Sequence, residues 1–413
     1  MKLKFEESGQ ALILIVFVII GLVAIAGLVV DGGNVYLERR RAQTAADAAA
    51  LGGSLARIHG AEWVDSALEI AAQNGFNNDG QTNSVLIVSP PVDGPHQYDT
   101  EYLQVVIATN TRTYLASVVG VRSIRSQIQA VARTKISEIT EILDGDALIS
   151  LAPTSDCEAH RAFSVEGEAT LDIWDAGIFV NSNNPECALI EKGSGSIILE
   201  GEVGDISVVG GVDIQKPDLI RPNQPVTGKA PISYPPPFFM PNVGCSKEAV
   251  VSEDGGSISS GSWGDEDFPP PGVHSLEPGT YCLDGDFIIN GGETLGGSNV
   301  AIQVKYGEVR WSGNAAIDLK GRIAGPLEGL LLYMPIENHN KIILNGNADS
   351  TIRGTILAPG AEIHINGMDS NTGFHSQIIG YRINVNGQSL VIIKYKDEQN
   401  YDAVTMPEIS LVK

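Results

Sequence analysis

Twenty consecutive residues without a charged side chain, Ala11 to Val30 (ALILIVFVIIGLVAIAGLVV), set the first constraint on this chain. As a helix such a run rises about 30 Å, the thickness of a bilayer's hydrocarbon core. Residues 11–31 are therefore read as a transmembrane helix behind a short cytoplasmic tail at 1–10. A cleaved signal peptide is the competing reading, because Lys2 and Lys4 precede the run and Ala24-Ile25-Ala26 resembles a cleavage site. Cleavage there would leave Gly27-Leu28-Val29-Val30 as a still apolar new start, so a retained helix is preferred.

Asp31, Gly32 and Gly33 mark the expected membrane exit, and Asn34 is a reasonable N-cap for a second, alanine-rich stalk helix at 32–60. Ala42, Ala45, Ala46, Ala49, Ala50, Gly53 and Ala56 line one face of that helix with very small side chains. Small residues let a neighbouring element approach closely, so this helix is built to pack rather than to react. Alanine's high helix propensity alone would account for part of the pattern.

The run from Gly9-Gln10-Ala11 through "VVDGGNVYLERRRAQTAADAAALGGSLA" resembles the N-terminal region of TadG-like proteins of the Tad/Flp pilus-assembly system. The resemblance covers roughly the first sixty residues. It implies an uncleaved single-pass anchor in the bacterial inner membrane, with the bulk of the chain outside the cytoplasm, and other Tad pilus-assembly proteins or pilin as partners. Many relatives carry a von Willebrand A-type domain with a metal-binding DxSxS loop; this chain has no DxSxS, so that metal site is not carried over.

Charge is distributed unevenly. Residues 1–137 hold 11 basic and 12 acidic side chains, whereas 138–413 hold 16 and 38, so nearly all of the formal net charge of −23 lies in the distal part. Such a surface repels phosphate backbones, which excludes nucleic acid as a partner for this part. Cys157, Cys187, Cys245 and Cys282 all lie there, none in a CxxC pair. An even count behind an apolar leader points to an oxidising compartment and two disulfides, with Cys157–Cys187 and Cys245–Cys282 the local pairing among three connectivities. Four buried free thiols are the bland alternative. Arg39, Arg40 and Arg41 after the apolar run outnumber Lys2 and Lys4 before it, which by count alone would keep the large domain inside. The cysteines outweigh that count, since long domains cross regardless of it.

Residues 61–137 read as a small α/β domain. Trp63, Ala67, Leu68, Ala71 and Ala72 have helical spacing ended by Asn74-Gly75; Ser84–Ser89, Tyr102–Thr109 and Ile124–Thr134 read as strands, with a short helix at Tyr114–Val119. Ile128, Ala130 and Ala132 alternate as one buried sheet face.

Residues 138–413 read as a mainly-β, right-handed β-solenoid, that is a parallel β-helix. Strand-then-turn units recur as FSVEG (163–167), IILEG (197–201), FIING (287–291), VRWSG (309–313), IILNG (342–346), IHING (363–367) and INVNG (383–387). Gly346, Gly367 and Gly387 are 21 and 20 residues apart, a period that suits one coil per repeat. Asn345, Asn366 and Asn386 then fall at equivalent corners, where they would stack as an amide ladder inside the coil or stand as three unrelated surface turns. A proline-rich insertion at about 215–243, with eight prolines from Pro217 to Pro241, cannot be central sheet and is read as running extended over the surface. The later coils also look like β-helical ectodomains of bacterial surface proteins.

Parallel β-helices also serve as carbohydrate-active enzymes, which use clustered carboxylates on one face. Asp172 with Asp175, Asp284 with Asp286, and Asp265, Glu266 and Asp267 are the candidates, all in positions where solvated carboxylates are commonplace. The Asp284 and Asp286 turns would bind calcium only weakly, and no GxSxG, GxxxxGK[ST] or HExxH is present. The combined expectation is a non-catalytic, cofactor-free structural component of the bacterial envelope, associated with pilus assembly or surface adhesion and with self-association. The alternatives are a surface or secreted β-helix carbohydrate-active enzyme and an adhesin released after cleavage near Ala26.

Overall fold

The computed structural model describes residues 8–201, 204–345, 350–366, 374–388 and 390–412. Most of the tail at 1–10 and the corner glycines Gly346 and Gly367 lie outside them. The chain divides into two units: 1–137 together with 406–413, and 138–405. The acidic β region therefore ends at Thr405 and not at the C-terminus. The last strand, Glu408–Val412, pairs antiparallel with the first unit's own sheet, Val131 opposite Val412 and Lys135 opposite Glu408.

In the first unit a single helix, α1 (Ser8–Ile58), continues without a break through the expected membrane exit. Asp31, Gly32 and Gly33 are helical, and Asn34 caps nothing; the two glycines cost less than the helix gains from continuing. A short helix α2 (Trp63–Gln73) follows, then an antiparallel sheet of β1 (Asn83–Val88), β2 (Tyr102–Arg112), β3 (Ser123–Lys135) and the C-terminal strand, in that order. Alternation places Ile128, Ala130 and Ala132 of β3 on the buried face. Against them and α2 lie Ala42, Ala45, Ala46, Ala49 and Ala50 of α1, all fully buried. At Gly53 an added Cβ would stand 3.0 Å from that of Ala67, so the helices meet backbone to backbone.

The second unit is built from parallel strands in three ladders. One ladder runs Ile206–Val208, Ile178–Val180, Leu148–Ser150, Ile378–Val385, Thr355–Ile365, Leu330–Tyr333, Val300–Val304, Gly279–Leu283 and Gly261–Trp263. Another places Phe163–Gly167 between Leu189–Gly193 and Ile378–Val385, and the third forms a separate ten-stranded sheet through Thr170–Trp174 and Leu390–Lys394. Each ladder has the same discontinuity: strands from 148–221 form one block, strands from 257–394 the other, and they join where 148–174 meets 378–394. Both blocks enclose one apolar interior in which Phe268, Phe287 and Trp311 stack edge to face, ring centroids 5.8 and 5.9 Å apart.

Two readings of the repeat change. Ile197–Gly201 is not equivalent to Phe163–Gly167: the register opposes Gly167 to Gly193, so LIEKG (189–193) is the matching unit and Ser196–Glu200 belongs to the ten-stranded sheet. A β-branched pair ending in glycine looks the same on either face. The corner asparagines do stack through their backbones, the N–H of Asn345, Asn366 and Asn386 donating to Trp311, Leu344 and Ile365 O. Their side chains are not an interior ladder, because Asn366 is exposed and Asn345 Nδ2 donates to Trp311 O at 2.9 Å.

The proline-rich stretch crosses from one block to the other. Ile232 exchanges two hydrogen bonds of 2.8 Å with the Asn181 side chain, the Tyr234 hydroxyl donates to Pro359 O, Phe239 N donates to Val404 O, and Cys245 is bonded to Cys282. These contacts follow the order of the ladder, so the prolines need no sheet partners and the outward-facing Phe179, Tyr333, Leu357 and Ile379 are covered.

Candidate functional site

Within α1, the large side chains from Ile13 to Val30 are 47–78% exposed, a surface that water does not tolerate and that hydrocarbon does. The helix is long and apolar enough to cross a membrane, with mean hydropathy 3.4 in its most apolar window. Sequence and geometry together thus fit a membrane anchor.

Asp31 stands one residue beyond this surface and is 4% exposed. Its carboxylate accepts three backbone N–H bonds from the loop between β2 and β3: Tyr114 at 2.7 Å, Leu115 at 3.0 Å and Ala116 at 2.6 Å. Those donors open the 3-10 turn Ala116–Val119 and have no intrahelical partner, so the carboxylate caps the turn from another element. Leu115 closes over α1 one turn earlier: an added Cβ at Gly27 would come within 2.9 Å of the Leu115 Cβ. Between helix and loop lies a groove of about 580 Å3 lined by Ile20, Val23, Ala24, Leu28, Leu115 and Val118. Sequence reasoning marked Asp31 only as the membrane exit and Tyr114–Val119 only as a short helix, here the 3-10 turn Ala116–Val119, and did not join the two. The available signal was a loop with Leu115, Val118 and Val121 at its tip and Arg112 and Arg122 at its ends.

In the second unit the four cysteines form Cys157–Cys187 and Cys245–Cys282, with Cα atoms 5.5 and 6.1 Å apart. Among the carboxylates weighed for catalysis, Asp265, Glu266 and Asp267 are exposed side by side in one bend, Asp175 and Asp284 are exposed, Asp172 is half-buried, and Asp286 accepts the Glu308 N–H. A row of polar contacts lies elsewhere: Ser164 Oγ donates to Asn384 Oδ1 at 2.8 Å, Asn384 Nδ2 to Glu362 Oε1 at 3.0 Å, and His364 Nε2 lies 2.7 Å from Glu362 Oε1. The hydrogen bond from His364 holds the Glu362 carboxyl below its ordinary range, against its partial burial. Each group in this row is engaged by the next. Among the described residues no three His, Cys, Asp or Glu side chains converge as a metal site.

Residues 9–62 match the family model of the TadE/G-like Flp pilus-assembly domain. The match coincides with α1, from its first turn to just past its end. Neither the curated proteins nor the solved structures returned a match.

Proposed function

We propose that the protein is a membrane-anchored structural component of the bacterial envelope that works with the Tad/Flp pilus-assembly apparatus. The observation that carries this reading is the coincidence of the family match with a helix whose first half is bare and apolar and whose second half is packed. A helix of that kind is held by lipid at one end and by its own domain at the other.

The second unit is read as a right-handed β-solenoid carried outside the cytoplasm. Three parallel ladders sharing one order support the coil, and two disulfides support the compartment. Its roles are display and contact, either with pilus components or as a surface adhesin, and it requires no cofactor and performs no catalysis. Partners are other Tad pilus-assembly proteins or pilin.

The test is purification of the full chain from native membranes after mild crosslinking. Recovery with the Tad inner-membrane platform, with an intact N-terminus and with cysteines that a membrane-impermeant thiol reagent labels only after reduction, is the expected result. A chain starting near Gly27 in the soluble fraction, or one never recovered with that platform, would defeat the reading.

A further inference from the structure

We propose that the loop between β2 and β3, Thr113 to Arg122, is a lipid-inserting tip that enters the bilayer beside α1. The inference rests on the membrane-anchor reading and adds a second point of contact to it.

The loop has the composition of a buried segment and the exposure of a free one. Val118 is 83% exposed, Tyr114 69%, Val121 46% and Leu115 39%. They lie on the side of the clamp toward the apolar run, since Leu115 packs at Gly27 and Val118 lines the groove with Ile20 and Val23, respectively one and two or more helical turns N-terminal to Asp31. The apolar surface of α1 and that of the loop are therefore continuous, and whatever solvates the first must solvate the second. Acyl chains are the occupant that fits a groove open along the length of a membrane-spanning helix.

The base of the loop has the opposite character. Arg112, Arg122 and Arg125 are exposed where β2 ends and β3 begins, placing guanidinium groups at the level expected for phospholipid headgroups once the tip is immersed. The clamp also becomes intelligible: a carboxylate at the end of an apolar span is costly in hydrocarbon unless its oxygens are occupied, and the loop delivers three N–H groups to it. Folding the loop onto α1 satisfies Asp31 and delivers the tip to the lipid in one step.

The experiment uses the full chain, whose native cysteines are consumed in disulfides, in vesicles of mixed zwitterionic and anionic phospholipid. An environment-sensitive fluorophore is placed at Val118→Cys and, separately, at Tyr114→Cys. Ile20→Cys in α1 and Leu86→Cys, an exposed position on β1 well up the sheet, are the references. Quenching by spin-labelled lipid at 118 and 114 should approach that at 20 and exceed that at 86 several-fold, with iodide quenching in the reverse order. If position 20 is quenched by lipid while 118 and 114 respond to iodide like 86, the anchor stands and the tip is refuted. Shielding from both quenchers at 118 and 114 would place the loop against protein, its own chain or a second copy, and equally refute it. Loss of lipid quenching at position 20 itself would bring down the anchor and the tip together.

Discussion

In the first unit the tightest packing is made by side chains that scarcely exist, Ala42 to Gly53 of α1 against a sheet, whereas the second unit fills its interior with Phe163, Phe268, Phe287 and Trp311. A long helix that must lie flat on a sheet gains from short side chains, because backbone proximity brings many small contacts at once. Stacked parallel strands are held apart by their ladders, so the space between must be filled by volume. The difference teaches that the two interiors fail in opposite directions: one when side chains are added, the other when they are removed.

That contrast can be broken or sharpened by experiment. The largest expected effect is Trp311→Ala, which opens a cavity in the aromatic stack and should cost about 3–5 kcal/mol. In calorimetry the transition of the second unit should fall while that of the first stays; a matching fall in both would mean that the interiors are coupled. Removing a disulfide comes next. Cys245→Ser with Cys282→Ser frees a loop spanning 37 residues, for an expected loss of about 3–4 kcal/mol in the chain-entropy view, again confined to the second unit.

Ala46→Leu tests the other side, since overpacking a site of this kind costs about 1–3 kcal/mol and should lower only the first transition. An unchanged midpoint would show that α1 is less closely seated than its burial indicates. Alkaline pH gives the smallest effect per group. Burial pushes the Tyr333 hydroxyl up to about 12, and Tyr281 and Tyr395 are raised in the same way. A phenol raised in the folded state contributes stability that is intact below the unfolded value of 10.0 and is lost as pH climbs toward the folded one. At pH 11 each such group costs about 1 kcal/mol. The second unit should therefore melt earlier from pH 10 upward while the first, none of whose tyrosines is buried, holds; simultaneous loss of both would contradict this.

What could be read in advance follows the same division. The alanine face of α1 was legible because helical spacing puts its members together within a dozen residues, and the strands of the small sheet because alternation is local. The Asp31 clamp was not, since its partners lie 83 to 85 residues away in a loop without a motif. The glycine-ended repeats announced stacked strands but not their neighbours: Ile197–Gly201 fits the pattern as well as Leu189–Gly193 does, and only pairing decides between them. The junction of the two blocks pairs residues such as Ser164 and Asn384, 220 apart, for which no spacing rule exists.

That junction has a consequence for the order of events in biogenesis. Strands 148–150, 163–167 and 170–174 are made first, yet the edge they present is completed only by strands near 378–394, which follow much later in the chain. Throughout that interval the nascent half offers an open row of backbone donors and acceptors to any passing strand. A holding chaperone, or production of the later strands fast enough to outrun mispairing, is thus demanded by the pairing order itself. Chains stopped before residue 378 should accumulate as aggregates, whereas soluble, monomeric truncations would show that the early half guards its own edge.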